Sequence, residues 1–466
     1  MDQARIAQSE QGLHKSLSRA QVVMIGLGGA IGTGLFAGSS LAIGYAGPAV
    51  ILSYAIAGFA ALVMVLSLSE MAVVHPSAGS FGIYAETYLN RWAGFVVRYT
   101  YWMAQVIAIG GEATAAGVYM SFWFPDIPSW VWSIGFSLLV VYFNARSVNH
   151  FGTIEYWLAF IKVTAIVLFI ILGSAAILGI GTPAVGVHNL VGLPGGFMPH
   201  GFAGVWMAVV VGIFSFNGIE VIAVTSGETA EPETAIPAAL RTMALRLFLF
   251  YVLALTIVVC FVPWTQTGAS GIVKMSPFVA VFTHSGITAA AGIMNFVVLS
   301  AALSSMNTNV YLCSRMLFSL ARGGFAPARF GRLTRNGTPL AAILLSGACI
   351  LVAASISRIT PLAYSYLFGV ALFGAIIVWM FILLSHLRFR RVHPAKDLPV
   401  RMPLFPYMQI AGLILLAAIL VTMGLDTLAW SISWLVGVPW LIFLTIAYFI
   451  WRMRSGRPAA EGAVNS

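Results

Sequence analysis

Three ionisable side chains, Glu112, Lys162 and Glu220, stand deep inside stretches that are otherwise almost wholly apolar. A charged side chain at the centre of a membrane-spanning helix costs about 2.5–3.5 kcal/mol on insertion scales, so each of the three needs a polar partner and marks a candidate for binding or for moving a proton. Lys162 lies about nine residues inside its stretch, about 13 Å at 1.5 Å per residue. That is a long reach for a lysine snorkelling to the interface, and a fixed cation or an exchangeable proton is the stronger reading. Glu220 directly follows Phe214-Ser215-Phe216-Asn217-Gly218-Ile219, where a carboxylate can brace an opened helix, couple its shape to protonation, or simply hydrogen-bond to backbone. Glu112 sits in Gly110-Gly111-Glu112-Ala113-Thr114, among small residues that let helices approach. It is therefore expected to face a bundle interior, as a proton acceptor, an amine contact or a structural hydrogen-bond acceptor.

These groups need elements that hold them at mid-depth. Gly26-Leu27-Gly28-Gly29-Ala30-Ile31-Gly32-Thr33-Gly34-Leu35-Phe36 carries five glycines in the first apolar stretch. Glycine costs about 1 kcal/mol against alanine in a helix interior, so the run predicts a helix that breaks. Close packing through Gly28 and Gly32 is the competing reading, and the number of glycines together with Thr33 favours the break. A broken helix frees backbone groups, which inside a bilayer survive only against protein or a water-filled cavity. A second interruption, Phe214 to Glu220, falls five spans later. That odd offset gives the second half the opposite orientation, the arrangement of a secondary transporter built from inverted repeats.

The chain has 466 residues, 60% hydrophobic and 8% charged, and its mean hydropathy of +0.94 excludes an ordinary soluble domain. Apolar windows between Gly, Pro and charged residues predict an all-α integral membrane fold with twelve spans. They lie near 20–44, 48–70, 93–123, 129–146, 153–180, 202–226, 240–263, 287–312, 339–357, 361–387, 404–424 and 430–451. The inverted repeats then cover about 20–180 and 202–387, with two additional helices in 404–451 and tails at 1–19 and 452–466. Placing the N-terminus in the cytoplasm puts 21 of the 24 Lys and Arg on that side, Arg98 and Arg315 among them, against Lys274 and Arg358 outside and Lys162 within a span. The asymmetry predicts a multi-pass cytoplasmic-membrane protein with both termini inside. The first twenty residues hold no apolar core of a cleavable leader.

Cys260, Cys313 and Cys349 lie far apart in apolar surroundings and read as small hydrophobes, with no metal or disulfide framework. The net charge of +10 is spread over membrane-facing loops and implies lipid, not nucleic acid, as the polyanionic neighbour. No phosphate-binding Gly-xxxx-Gly-Lys-Ser/Thr loop, His-Glu-xx-His, Cys-xx-Cys pair or Gly-x-Ser-x-Gly elbow is present, so the chain reads as no enzyme. Its work is expected from an ion gradient or from exchange. Ser300, Ser304, Asn307 and Asn309 in span 8, with Tyr364 and Tyr366 in span 10, read as polar glue between helices.

The ordered set of Gly28 to Phe36, Ser69-Glu70-Met71, Pro76-Ser77-Ala78-Gly79-Ser80-Phe81, Ile161-Lys162-Val163, Phe214 to Glu220, Glu228, Glu231-Pro232-Glu233 and Ile236-Pro237 resembles the amino acid-polyamine-organocation superfamily. Within it the chain is similar to bacterial amino acid permeases that include aromatic amino acid, proline and gamma-aminobutyrate carriers. The resemblance implies a five-plus-five inverted-repeat core with discontinuous helices 1 and 6, two further helices, and a substrate held between spans 1 and 6. It implies that the substrate carboxylate meets the freed amides of Ala30, Ile31, Gly32, Thr33 and Gly34. The amine would meet carbonyls near Ile25, Gly26, Phe214 and Ser215, with Asn217 adjoining and Phe214 closing over the substrate. Lys162 matches a lysine that takes the place of a sodium ion in proton-coupled relatives, so the implied driving force is a proton gradient, with Glu112 and Glu220 as further proton-coupling candidates and no cofactor. Ser80 departs from the second glycine that many relatives carry there. The expected activity is proton-coupled uptake of an L-amino acid by alternating access; an exchanger of the same fold and a non-transporting sensor are the alternatives. Neutral substrates are expected, with a basic amino acid as the exception Glu112 allows.

Overall fold

A computed structural model describes residues 17–146, 148–181, 183–229, 239, 249–266, 276–284, 288–394, 398, 401–425 and 430–455. Most of both tails, Glu231-Pro232-Glu233, Ile236-Pro237, Arg241, Arg246, Lys274 and Lys396 lie outside the described residues. Among the described residues the chain is helical, with one isolated bridge between Leu17 and Thr229. Seven helical stretches there are long and apolar enough to cross a membrane.

The first apolar stretch is broken where its glycines predict. Ser18 starts α1 (Arg19–Ala30) through a reciprocal capping box with Gln21. The helix ends at Ile31, whose φ −88° and ψ 83° leave helical space. After Gly32 and Thr33 the chain re-enters as a π-helical turn, Gly34–Gly38, and then α2 (Ser39–Ala46). There follow α3 (Val50–Val74), α4 (Ser80–Tyr88), α5 (Arg91–Met120), α6 (Ser129–Arg146) and α7 (Val148–Ile177). The second interruption separates α8 (Gly201–Ser215) from the single turn α9 (Val221–Val224). The remaining helices are α10 (Leu249–Phe261), α11 (Pro277–His284), α12 (Thr288–Arg322), α13 (Leu340–Ser355), α14 (Ala363–Val392), α15 (Tyr407–Leu425) and α16 (Ser431–Ser455).

α5 is the hub, packed against α12, α14, α6, α13 and α4, while α1 packs on α7 and α12 and α8 on α2 and α3. Among the described residues of α7 the buried side chains Phe151, Glu155, Ala159, Lys162, Ile166 and Phe169 form one stripe, spaced by three and four residues. Its opposite face exposes Trp157, Phe160, Leu168, Ile171 and Leu172, as suits a helix that meets lipid on one side and two helices on the other.

Two placements differ from the sequence reading. α12 runs ten residues beyond the expected end at 312, because Tyr311 to Arg322 continue apolar packing, and this carries Arg315 from the expected loop into the bundle, where it is 2% exposed. Arg98, also counted with the loop charges, is likewise buried in α5. Each has a carboxylate partner: Arg315 reaches Glu228 at 2.8 Å, and Arg98 pairs with Glu86. Ser80, where glycine is the common residue in the resembled family, holds φ at +37° at the start of α4.

Candidate functional site

The two interruptions are pressed together. A Cβ on Gly34 would lie 2.7 Å from the Cα of Ser215, so only glycine lets the two broken segments meet there. Gly218, at φ +96°, occupies the region that favours glycine, and a Cβ there would lie 2.6 Å from Gly29 O. Between the segments lies a small cavity of about 10 Å³, room for about one water, lined by Gly29, Ala30, Gly32, Gly34, Glu112, Phe214, Ser215, Asn217, Ser305 and Asn309.

The breaks free carbonyls, and side chains from neighbouring helices satisfy them, as a low-dielectric interior requires. The Tyr251 hydroxyl lies 2.7 Å from Ala30 O and 2.6 Å from Ser215 O and so ties one break to the other. Tyr364 donates to Thr33 O at 3.3 Å. Tyr54 Oη lies 3.5 Å from Gly34 O and 3.0 Å from Ser215 Oγ. Lys162, fully buried, donates from Nζ to Gly28 O, to Ile31 O at 2.8 Å and to Ser304 Oγ at 2.7 Å. One ammonium thus caps the end of the first half of helix 1, where the backbone leaves helical space. An ammonium has three protons, and here all three have acceptors.

Behind Lys162 is Glu155, fully buried, which accepts from the Ser304 hydroxyl and, at 3.1 Å, from Asn307 Nδ2. Lys162, Ser304 and Glu155 form a continuous chain of donors and acceptors. Glu155 is a residue that sequence reading missed. Its signal is the spacing: seven residues before Lys162 is two helical turns, which puts both side chains on one face.

The other two mid-depth carboxylates differ in role. Glu112 lines the cavity and accepts from the Ser305 hydroxyl and from Asn309 Nδ2 at 3.3 Å. Glu220 does not line it; its Oε1 accepts from Tyr101 at 3.0 Å and its Oε2 from the Gly218 N–H at 3.2 Å, which braces the opened turn between α8 and α9. Ser304, Ser305, Asn307 and Asn309 belong to these two polar clusters and do more than join helices.

Of the residues expected to contact substrate, Ala30, Gly32, Gly34, Phe214, Ser215 and Asn217 line the cavity. Ile25 and Gly26 lie within the intact part of α1 and are not brought to it, while Ile31 and Thr33 contribute carbonyls that Lys162 and Tyr364 occupy. The Phe214 ring lies 3.9 Å from that of Phe368, which in turn contacts Tyr364 and Trp430, so an aromatic cluster closes one side.

A third cluster closes the end of the bundle that carries Arg19, Arg91, Arg322 and Arg390. Glu228, just past the second interruption, pairs with Arg315 and accepts from Tyr311, and its carbonyl accepts the Leu17 N–H at 3.1 Å. Ser226 Oγ takes the Ser77 N–H at 2.8 Å, which links the same segment to the turn before α4.

The chain matches the amino acid permease family over residues 21–457. It is 38% identical over 449 residues to the uncharacterized amino acid permease YtnA of Bacillus subtilis, covering 94% of this chain and 95% of that protein. It is 40% identical over 440 residues to the aromatic amino acid transport protein AroP of Escherichia coli, with the same coverage. To the gamma-aminobutyric acid permease of Bacillus subtilis it is 39% identical over 456 residues, 96% of this chain and 95% of the relative.

Proposed function

The chain belongs to the amino acid permease family, and from that premise we propose that it is a secondary active transporter that carries an L-amino acid into the cell together with a proton. The supporting observation is Lys162, whose ammonium holds Gly28 O and Ile31 O at the end of the first half of helix 1, where the break begins, and continues through Ser304 to Glu155. Loss of a proton from this chain removes donors that fix the backbone where the break begins, so protonation and the shape of the binding segment are linked. Substrate occupies the cavity between the two interruptions. Its carboxylate faces the N–H groups of the turn that re-enters after Gly32, and its ammonium faces the carbonyl ends, as the dipoles of the half-helices favour.

The reading includes twelve spans in a five-plus-five inverted repeat with two further helices, and both termini in the cytoplasm, as the Lys and Arg asymmetry implies. The Glu228–Arg315 pair then lies on the cytoplasmic side and has to part for substrate to leave. Alternating access follows from breaking that contact while the outer side closes over the aromatic cluster.

The experiment is uptake of a panel of labelled amino acids into proteoliposomes, with an imposed proton gradient, with sodium, and with preloaded internal amino acid. Uptake into empty vesicles that depends on the proton gradient and is abolished by uncoupler is the expected result. Flux seen only with internal amino acid makes the protein an exchanger, and binding without flux under every condition makes it a sensor.

A further inference from the structure

The cavity wall built by α5 and α12 is polar in a specific sense: it offers acceptors. Asn309 is 4% exposed and lines the cavity. Its amide orientation is set by Glu112, since a carboxylate accepts and the Nδ2 group 3.3 Å away must donate. Oδ1 is thereby the free end, and it has no hydrogen-bond partner among the described residues. Asn217, on the opposite wall at the second interruption, also leaves Oδ1 buried without a partner there. The Ser305 hydroxyl proton is already committed to Glu112.

Resting on the transport reading above, we propose that the cavity selects an amino acid whose side chain ends in an uncharged hydrogen-bond donor, a carboxamide or a hydroxyl, over aliphatic and aromatic side chains. The break carbonyls each keep a second lone pair for the substrate ammonium, so the Asn309 oxygen, with the Asn217 amide opposite it, remains for the side chain. An apolar side chain offers that oxygen no donor and leaves it unpaired in a closed site. A site built to receive a donor rejects an analogue lacking it far more strongly than an apolar pocket rejects a missing methylene. The two orphan acceptors are neutral amides, and both oxygens of the one carboxylate in the wall already hold donors, so the arrangement matches a neutral donor better than a cation. Phe214 and Phe368 cover the apolar stem.

The test uses near-isosteric pairs in the uptake assay: asparagine against leucine and threonine against valine, with phenylalanine, lysine and arginine as further competitors. In the wild-type protein the donor-bearing member of each pair is expected to compete at least about tenfold better. Asn309→Leu is expected to lower the asparagine-to-leucine ratio by about tenfold or more. If that variant is not monodisperse, the wild-type pairs decide alone. Leucine or phenylalanine equal to asparagine, or lysine or arginine as the best competitor, overturns the selectivity inference while leaving transport intact. No uptake or binding of any amino acid overturns the transport reading itself.

Discussion

Replacing Lys162 by methionine tests the centre of the proposed mechanism, because the side chain stays unbranched, one atom shorter, and loses its charge and all three donors. The wild-type ammonium donates to Gly28 O, Ile31 O and Ser304 Oγ. Hydrogen bonds to a charged group contribute about 1.5–3 kcal/mol each; at the lower end, which suits acceptors that water can reach once the cation is gone, three sum to about 4–5 kcal/mol. That agrees with the range of about 3–5 kcal/mol for removing one partner of a buried charged cluster. The loss is concentrated at the break in helix 1, so the effect on coupling exceeds the effect on fold. In empty proteoliposomes with a gradient of about two pH units, one-proton symport has a ceiling of about 100-fold accumulation, since each unit is about 1.36 kcal/mol. Lys162→Met is expected to show no accumulation above equilibrium at any gradient, in protein that still elutes as a single species and melts lower than wild type. Accumulation at the wild-type level, with wild-type dependence on external pH, refutes the assignment of Lys162 to coupling.

Three further outcomes follow from packing and charge. Gly28→Ala places a Cβ 2.1 Å from Glu155 Oε1, forcing that carboxylate off Ser304 and Asn307. A melting measurement is expected to show a loss of about 1–3 kcal/mol, with Glu155→Ala in the same chain recovering part of it. Arg315→Met leaves Glu228 buried without its cation and is expected to cost about 3–5 kcal/mol, while Arg315→Met with Glu228→Gln costs less than the sum of the singles. Adding in full in a double-mutant cycle would mean the two do not act as a pair. Beyond the end of α3, burial and then the neighbouring His393 push the His75 imidazole down to about 4, and its Nε2 sits 2.5 Å from the Tyr88 hydroxyl. The folded protein therefore holds His75 neutral where the unfolded chain binds a proton, so this contribution to stability is complete above about pH 6.5 and is lost as pH falls toward 4. His75→Gln is expected to flatten the decline of the melting temperature over that window.

The membrane class, the helical fold and the broken first helix were legible in the sequence. Sixty per cent apolar residues leave only helices or a closed barrel to satisfy the backbone in lipid, and the glycine run between Gly26 and Gly34 could not continue a helix without cost. Glu112, Lys162 and Glu220 were legible for the same reason, since an ionisable group in an apolar stretch is expensive wherever it ends up. Arg315 and Arg98 were not, because they stand near segment ends, where a loop charge and a buried charge look alike until the partner is known. The division of labour among the carboxylates was legible in part: Glu220 beside the second interruption braces its turn and Glu112 among small residues faces the cavity, but their partners Tyr101, Ser305 and Asn309 come from other helices. Which acceptors meet Lys162 depends on α1, α7 and α12 converging, and those helices are brought together from positions more than a hundred residues apart. The sequence alone determined that polar groups must be sheltered and where the backbone must open. Only the tertiary structure decided which groups shelter one another, because hydrogen bonding acts over about 3 Å and depends on how separate helices pack in space.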